Sequence, residues 1–244
     1  MHYAFRVAYD GTRYEGWQRQ ARTDATIQGK LEKALMMLSG ESVQVIGAGR
    51  TDAGVHAQGQ YADVHIPLAL SPDKLEETLN DFLPDDIAVS AMRIASDRFH
   101  SRFSAKEKWY RYRIRAGAKK DVFARRYIWQ LGEPLDADAM RRAARDLEGT
   151  HDFTSFCGNK HFKKSPIRAI KKIVITEENG ELILDFYGNG FLQNMVRIMT
   201  GTLVEVGEGK RSASDIPAVL EAKDRSRAGF TAPALGLCLM DVMY

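Results

Sequence analysis

Residues Tyr3–Tyr9 alternate, with Phe5, Val7 and Tyr9 on one side and Ala4, Arg6 and Ala8 on the other. A period of two predicts a half-buried strand. Asp10-Gly11-Thr12 breaks it as a turn. Over Thr26–Ser39 the period lengthens: Ile27, Leu31, Ala34, Leu35 and Leu38 recur at helical spacing, with Gly40 as the stop. Val43–Ala48 and Gln60–Ile66 read as strands around a glycine-rich loop. Ser71-Pro72 opens a second helix, with an N-cap and a proline in the first turn. Its stripe is Leu75, Leu79 and Phe82, and Pro84 ends it before a strand over Ile87–Ile94. The order βαββαβ is the split plan of ferredoxin-like domains.

The second half repeats that plan loosely. Lys108–Arg115 reads as a strand with Tyr110, Tyr112 and Ile114 on one face, and Tyr127–Leu131 as a shorter one. Asp136–Glu148 predicts a helix with Met140, Ala143, Ala144 and Leu147 inward and Gly149 as its stop. Ile170–Glu177 and Leu182–Tyr187 flank Asn179-Gly180, a strong hairpin signal. A long helix over Leu192–Val206, a capped helix over Ser212–Glu221 and a strand over Leu237–Met243 complete the chain. A boundary within Ser101–Glu107 divides it into residues 1–104 and 105–244, two α+β halves. The cleft between them is the expected place for a substrate.

Composition narrows the function classes. The 244 residues are 44% hydrophobic and 27% charged, as in ordinary soluble globular chains. No apolar run approaches the roughly 20 residues that span a bilayer, and the amino-terminal residues carry no signal-peptide pattern. Two cysteines, Cys157 and Cys238, exclude a disulfide framework. A cytoplasmic protein with no membrane association is expected. The phosphate-binding loop of nucleotide hydrolases, the third glycine of a dinucleotide fingerprint and the zinc deaminase signature are all missing. The six histidines form no metal-ligand spacing, so neither a metal nor a nucleotide cofactor is expected.

The net charge of +3 hides local excess. Arg98–Arg126 holds eleven Lys and Arg against two acids, and Lys160–Lys172 six against none. Screening limits each charge to about 10 Å at 0.1 M salt, so local excess governs attraction for a polyanion. A solvated face is one explanation. Trp109, Tyr110, Tyr112, Phe123 and Tyr127 interleave with the first run and favour RNA, whose bases stack on aromatics while phosphates meet cations.

The most unusual segment is Gly47–Gln60, GAGRTDAGVHAQGQ, where small residues surround one carboxylate, Asp52. Small residues let another backbone or a ligand approach closely. Asp52 can make an ordinary Asx turn with Arg50 in solvent. Alternatively it is a nucleophilic or basic carboxylate held ionised by guanidinium.

The block Gly49–Ala57 resembles the catalytic loop of the tRNA pseudouridine synthase A family. Tyr9–Gln20 (YDGTRYEGWQRQ) is similar to its amino-terminal signature. Phe99–Ala105 with Tyr110-Arg111-Tyr112 is similar to the central signature, and Gly190–Arg197 with Gly201 to the carboxy-terminal one. The match spans nearly the whole chain. Ser101 is a conservative departure, alanine being commonest there.

That resemblance implies a fold and a reaction. The fold is a pseudouridine synthase α+β fold: two ferredoxin-like, RRM-like halves forming a mixed, mainly antiparallel sheet with an active cleft. The reaction is the cofactor-free isomerisation of uridine to pseudouridine at positions 38, 39 and 40 of the tRNA anticodon stem-loop, by a cytoplasmic homodimer. By residue match Asp52 is the nucleophile and Arg197 its ion-pair partner. Arg50 fills the gap left by a flipped base. Tyr110 stacks on the uracil and can assist loss of the C5 proton. Trp17 and Gln18 are left to packing. Two rival classes are an RNA-binding module with an inactive loop and a small-molecule enzyme using the glycines for phosphate. Formation of pseudouridine in tRNA without metal or nucleotide separates them.

Overall fold

The computed structural model of the protein describes residues 1–117, 119–159 and 165–244. The expected basic residues Lys160, Lys163 and Lys164 lie outside them. The described residues hold ten strands and five α-helices and divide into two units: Met1–Lys106 with Cys238–Tyr244, and Glu107–Leu237.

In the first unit, β1 (His2–Tyr9) lies between two antiparallel neighbours, β3 (His56–His65) and β4 (Ile87–Ile94). This central place buries Tyr3, Ala4 and Phe5 together, so the alternation survives only from Phe5 to Tyr9. The far edge of β3 is shared. β2 (Val45–Gly47) pairs antiparallel with Ala62–Val64, and β10 (Leu237–Met243) pairs parallel at His56 and Ala57. The order β4-β1-β3-β2 is ferredoxin-like, as the βαββαβ pattern predicts. The carboxy-terminal strand, grouped with the second half in the sequence reading, joins this sheet.

Both helices of the unit are capped, the second at Ser71 as read and the first at Thr26, which the spacing did not mark. Thr26 Oγ1 accepts from Gly29 N–H at α1 (Ile27–Ser39), and Gly40 closes it at φ +74°. Ser71 caps α2 (Pro72–Phe82). Leu75 and Leu79 face inward, but Phe82, expected on that stripe, is exposed where the helix ends before Leu83-Pro84.

The second unit has the antiparallel order β5-β9-β8-β7, from β5 (Glu107–Arg115), β7 (Gly149–Asp152), β8 (Ile167–Glu178) and β9 (Glu181–Gly188). β6 (Trp129–Gln130) adds a parallel edge to β5. Asn179 and Gly180 turn β8 into β9 at φ +51° and +76°, as a type I′ hairpin requires. α3 (Ala137–Arg145) packs on α4 (Met195–Gly207) and β8, and α5 spans Ile216–Ala222. α3 ends at Arg145 with Asp146 as its cap, short of the predicted Glu148, so Gly149, read as the stop, instead starts β7 at φ +103°, a strand too short to show a period. α4 starts three residues later than predicted because Asn194 is left-handed at φ +59°. Among the described residues no helix is long and apolar enough to cross a membrane.

Candidate active site

The loop between β2 and β3 is held largely by bonds to its main chain. Ala48 N–H donates to Tyr61 O at 2.8 Å, and Gln60 Nε2 donates to Gly49 O at 2.9 Å. Next to Gly49, Arg50 is exposed. Thr51 is buried; its carbonyl accepts from Trp17 N–H at 3.1 Å, and its hydroxyl lies 2.8 Å from the Tyr9 hydroxyl. Asp52, half-buried, accepts at its main-chain oxygen from Val55 N–H at 3.2 Å, across Gly54 at φ +77°. Gly54 N–H in turn donates to Tyr14 O at 3.1 Å. The main chain on both sides of Asp52 is therefore fixed.

The clamp is the amino-terminal motif. Gly16 lies against the loop at φ +90°, where an added Cβ would stand 2.5 Å from Thr51 O. A Cβ on Gly11 would collide with the Val55 carbonyl, and one on Gly47 would enter the Trp17 ring. Here glycine serves close backbone approach. Trp17 is buried against Gly47 and Tyr9, in keeping with the packing role read for it. Gln18 Nε2 and Arg19 N–H both donate to Gln28 Oε1, at 2.7 and 2.9 Å. Gln28 Nε2 donates to buried Glu32 at 2.8 Å, and Glu32 accepts from Val45 N–H at 3.1 Å.

Two further groups brace the motif. His56 Nδ1 accepts from Gly11 N–H at 3.0 Å, so this nitrogen carries no proton toward Asp10, although their atoms approach to 3.2 Å. Asp86 accepts from Arg13 and from the Tyr14 hydroxyl, each at 2.5 Å. Burial pushes the Asp86 carboxyl up, but the hydrogen bonds from Tyr14 and Arg13 and the charge of Arg13 outweigh it, and the net shift is downward. Burial, then the bond to Asp86, raises the Tyr14 phenol. Tyr9, Glu32 and Asp86 as supports escaped the sequence reading. Glu32 follows Gln28 by one helical turn on an otherwise apolar face, which is the one signal that could have marked it.

The other two predicted site residues belong to the second unit. Tyr110 is on the buried face of β5 with Tyr112 and Ile114, its ring edge-on to Phe191 at 5.2 Å. Arg197 is in the first turn of α4. Its Nε donates to Ala232 O at 2.8 Å and its Nη1 to Asn194 Oδ1 at 3.1 Å, while Ala232 N–H returns a bond to Arg197 O at 3.1 Å. Gly201 lets the Phe230 backbone lie directly on the helix. Pro233 O accepts from the Tyr112 hydroxyl at 2.6 Å; burial raises that phenol, with the Arg197 charge working against it.

The basic run is less free than its count implies. Outward-facing Arg111 meets Asp185 across the strands at 2.8 Å, and Arg113 and Arg115 meet Glu181 at 2.7 and 3.1 Å. Lys171 pairs with Glu107 at 2.8 Å. Trp109 stacks on Tyr187, and Lys172 lies 4.4 Å from that ring. The acids come from β9 and from the start of β5, which a count along the chain cannot place. Beyond β5, Lys119, Lys120 and Arg125 are exposed around Phe123, itself 90% exposed.

The tRNA pseudouridine synthase family model matches residues 6–104 and 143–244. The chain is 48% identical over 239 residues to tRNA pseudouridine synthase A of Geobacillus sp. (strain WCH70), covering 98% of this chain and 96% of the relative. It is 48% identical over 238 residues to tRNA pseudouridine synthase A 1 of Clostridium tetani (strain Massachusetts / E88), covering 98% and 97%. With the enzyme of Moorella thermoacetica (strain ATCC 39073 / JCM 9320) it shares 45% over 244 residues, covering 98% and 97%. The chain belongs to the tRNA pseudouridine synthase family, whose members are isomerases.

Proposed function

We propose that this enzyme isomerises uridine to pseudouridine at positions 38, 39 and 40 of the tRNA anticodon stem-loop, with Asp52 as nucleophile. The observation that carries the reading is the clamped loop: one carboxylate among glycines and alanines, on a main chain bonded to a motif that matches the family. The reaction breaks the N1–C1′ bond, turns the uracil and joins C5 to C1′. C5 loses a proton and N1 gains one, so no oxidant, reductant or cofactor enters the balance.

Asp52 attacks as a carboxylate, so it must stay ionised as water leaves. In this reading Arg197 supplies the compensating charge, since an opposite charge within about 4–6 Å favours the ionised form. A uridine stacked in a stem is out of reach unless it is flipped. Exposed Arg50 takes the space it leaves and meets phosphate. Tyr110 stacks on the extruded uracil and assists loss of the C5 proton. Residues 1–104 then furnish the nucleophile, and residues 105–244 furnish Arg197, Tyr110 and further tRNA-binding surface. A homodimer in the cytoplasm goes with this reading.

The test is incubation of purified protein with unmodified tRNA transcript, without metal or nucleotide. Carbodiimide adducts that block reverse transcription mark pseudouridine. Stops at positions 38 to 40 are expected; stops elsewhere, or none, contradict the proposal.

A further inference from the structure

His56 opens β3 and is 5% exposed. Its Nδ1 stands between two groups of opposite demand. Gly11 N–H, 3.0 Å away, has only a proton to give. Asp10 Oδ1, 3.2 Å away, can only take one. That oxygen already accepts from Thr12 N–H at 2.9 Å and from the Thr12 hydroxyl. A buried main-chain N–H is costly to leave without an acceptor. The ring is therefore neutral, with its lone pair on Nδ1 and its proton on Nε2.

Gly11 is where the arms of the clamp meet. Its carbonyl accepts from Tyr14 N–H at 3.0 Å, and the Tyr14 carbonyl accepts from Gly54 N–H at 3.1 Å. Its α-carbon lies on the Val55 carbonyl, where an added Cβ would stand 2.0 Å from the oxygen. Gly54 and Val55 are the residues that close the turn on Asp52. The third attachment of Gly11, its N–H, goes to His56, the residue after Val55. We propose that His56 is a positioning residue for Asp52: its neutral ring fixes Gly11, and Gly11 fixes the turn that carries the carboxylate. The inference rests on the reading of Asp52 as the nucleophile. A ring that only filled space would be replaced best by the side chain nearest in size. A ring that accepts at Nδ1 would be replaced best by an oxygen in that place. Asparagine puts its amide oxygen where Nδ1 stands; glutamine, nearer in size, carries it one bond further out.

The experiment compares His56→Asn and His56→Gln with wild type by thermal melting, filter binding of tRNA and single-turnover pseudouridine formation with enzyme in excess. Nitrogen NMR of histidine-labelled protein at neutral pH reads the tautomer. His56→Asn should melt lower, because the smaller side chain leaves a cavity, yet keep a rate close to wild type. His56→Gln should melt higher than His56→Asn and lose about tenfold in rate, since a misplacement of about 1 Å is enough to cost about a hundredfold. Affinity for tRNA should be alike in all three, being carried by phosphate contacts. The histidine signal absent from both variants should belong to a ring protonated at Nε2 alone. Rates that follow stability, with His56→Gln the faster variant, overturn the proposal. So do wild-type rates in both variants, or a proton on Nδ1. Failure of the wild type to make pseudouridine would contradict the proposed function instead, and the tautomer is read without turnover.

Discussion

The Asp52 loop and the Arg197 turn fix their candidate residues by opposite means. Asp52 is placed by backbone: Trp17, Tyr14 and Val55 bond to the main chain around it, and glycines at 11, 16 and 47 permit the approach. Arg197 and Tyr110 are placed by regular elements, one in the first turn of α4 and the other on a buried face of β5. A site held by main chain is indifferent to many side-chain changes and intolerant of a single methyl group. A site held by packed side chains tolerates conservative replacement structurally, and only the chemistry of the replaced group is lost.

Gly16→Ala attacks the first arrangement and should have the largest effect. The new Cβ meets the Thr51 carbonyl at a φ that favours glycine, so the loop must move. A misplacement of about 1 Å is enough to cost about a hundredfold in rate, read in a single turnover, together with a lowered melting temperature. A rate near wild type would show that the clamp does not position Asp52.

Tyr110→Phe attacks the second. The ring keeps its edge contact with Phe191 and its place in β5 beside β9, so the variant should fold. If the hydroxyl assists proton transfer, single-turnover rate should fall about a hundredfold or more. Loss of stability without loss of rate would reduce Tyr110 to a core residue.

Asp86→Asn returns to the clamp with a smaller expected effect. The amide gives up the charge-assisted bond from Tyr14, worth about 1 kcal/mol of stability at neutral pH. The carboxyl is held below its ordinary 3.8, so its contribution is complete above that value and is lost as pH falls through the lower folded one. Wild type and variant should therefore converge in stability below about pH 4. A constant gap in urea midpoints from neutral to acid pH would show that the ionised form is not what stabilises.

The smallest effect separates paired from open cations. Replacing Lys119, Lys120 and Arg125 with glutamine should flatten the salt dependence of tRNA binding by up to about 2 log units per log salt, at about 0.7 for each phosphate left without its cation. Arg113→Gln should leave that slope alone, because Arg113 already faces Glu181. Equal effects would mean that the strand pairs open for tRNA.

Much of this was legible before any coordinates. Local rules gave the βαββαβ order, the Tyr110-Tyr112-Ile114 face, the cap at Ser71 and the turn at Asn179-Gly180. What escaped depends on distant partners. Glu181 and Asp185 neutralise β5 only through cross-strand register. The last strand joins β3 from the far end of the chain. Asn194 delays α4 by adopting a left-handed turn that no spacing announces. At the candidate site, the motif marked Asp52, whereas its supports Tyr9, Glu32 and Asp86 needed the fold to bring them near.

Asp52→Asn tests the central claim most directly. The amide keeps the shape of the carboxylate and has no nucleophilic oxygen to offer. Binding should persist, since phosphate contacts carry most of the affinity for tRNA. Two quantities decide the matter: filter-binding affinity for tRNA, and pseudouridine formed in a single turnover with enzyme in excess. The account predicts retained binding and no product above background. Conversion within about tenfold of wild type, about 1.4 kcal/mol of barrier, would show that Asp52 is not the nucleophile.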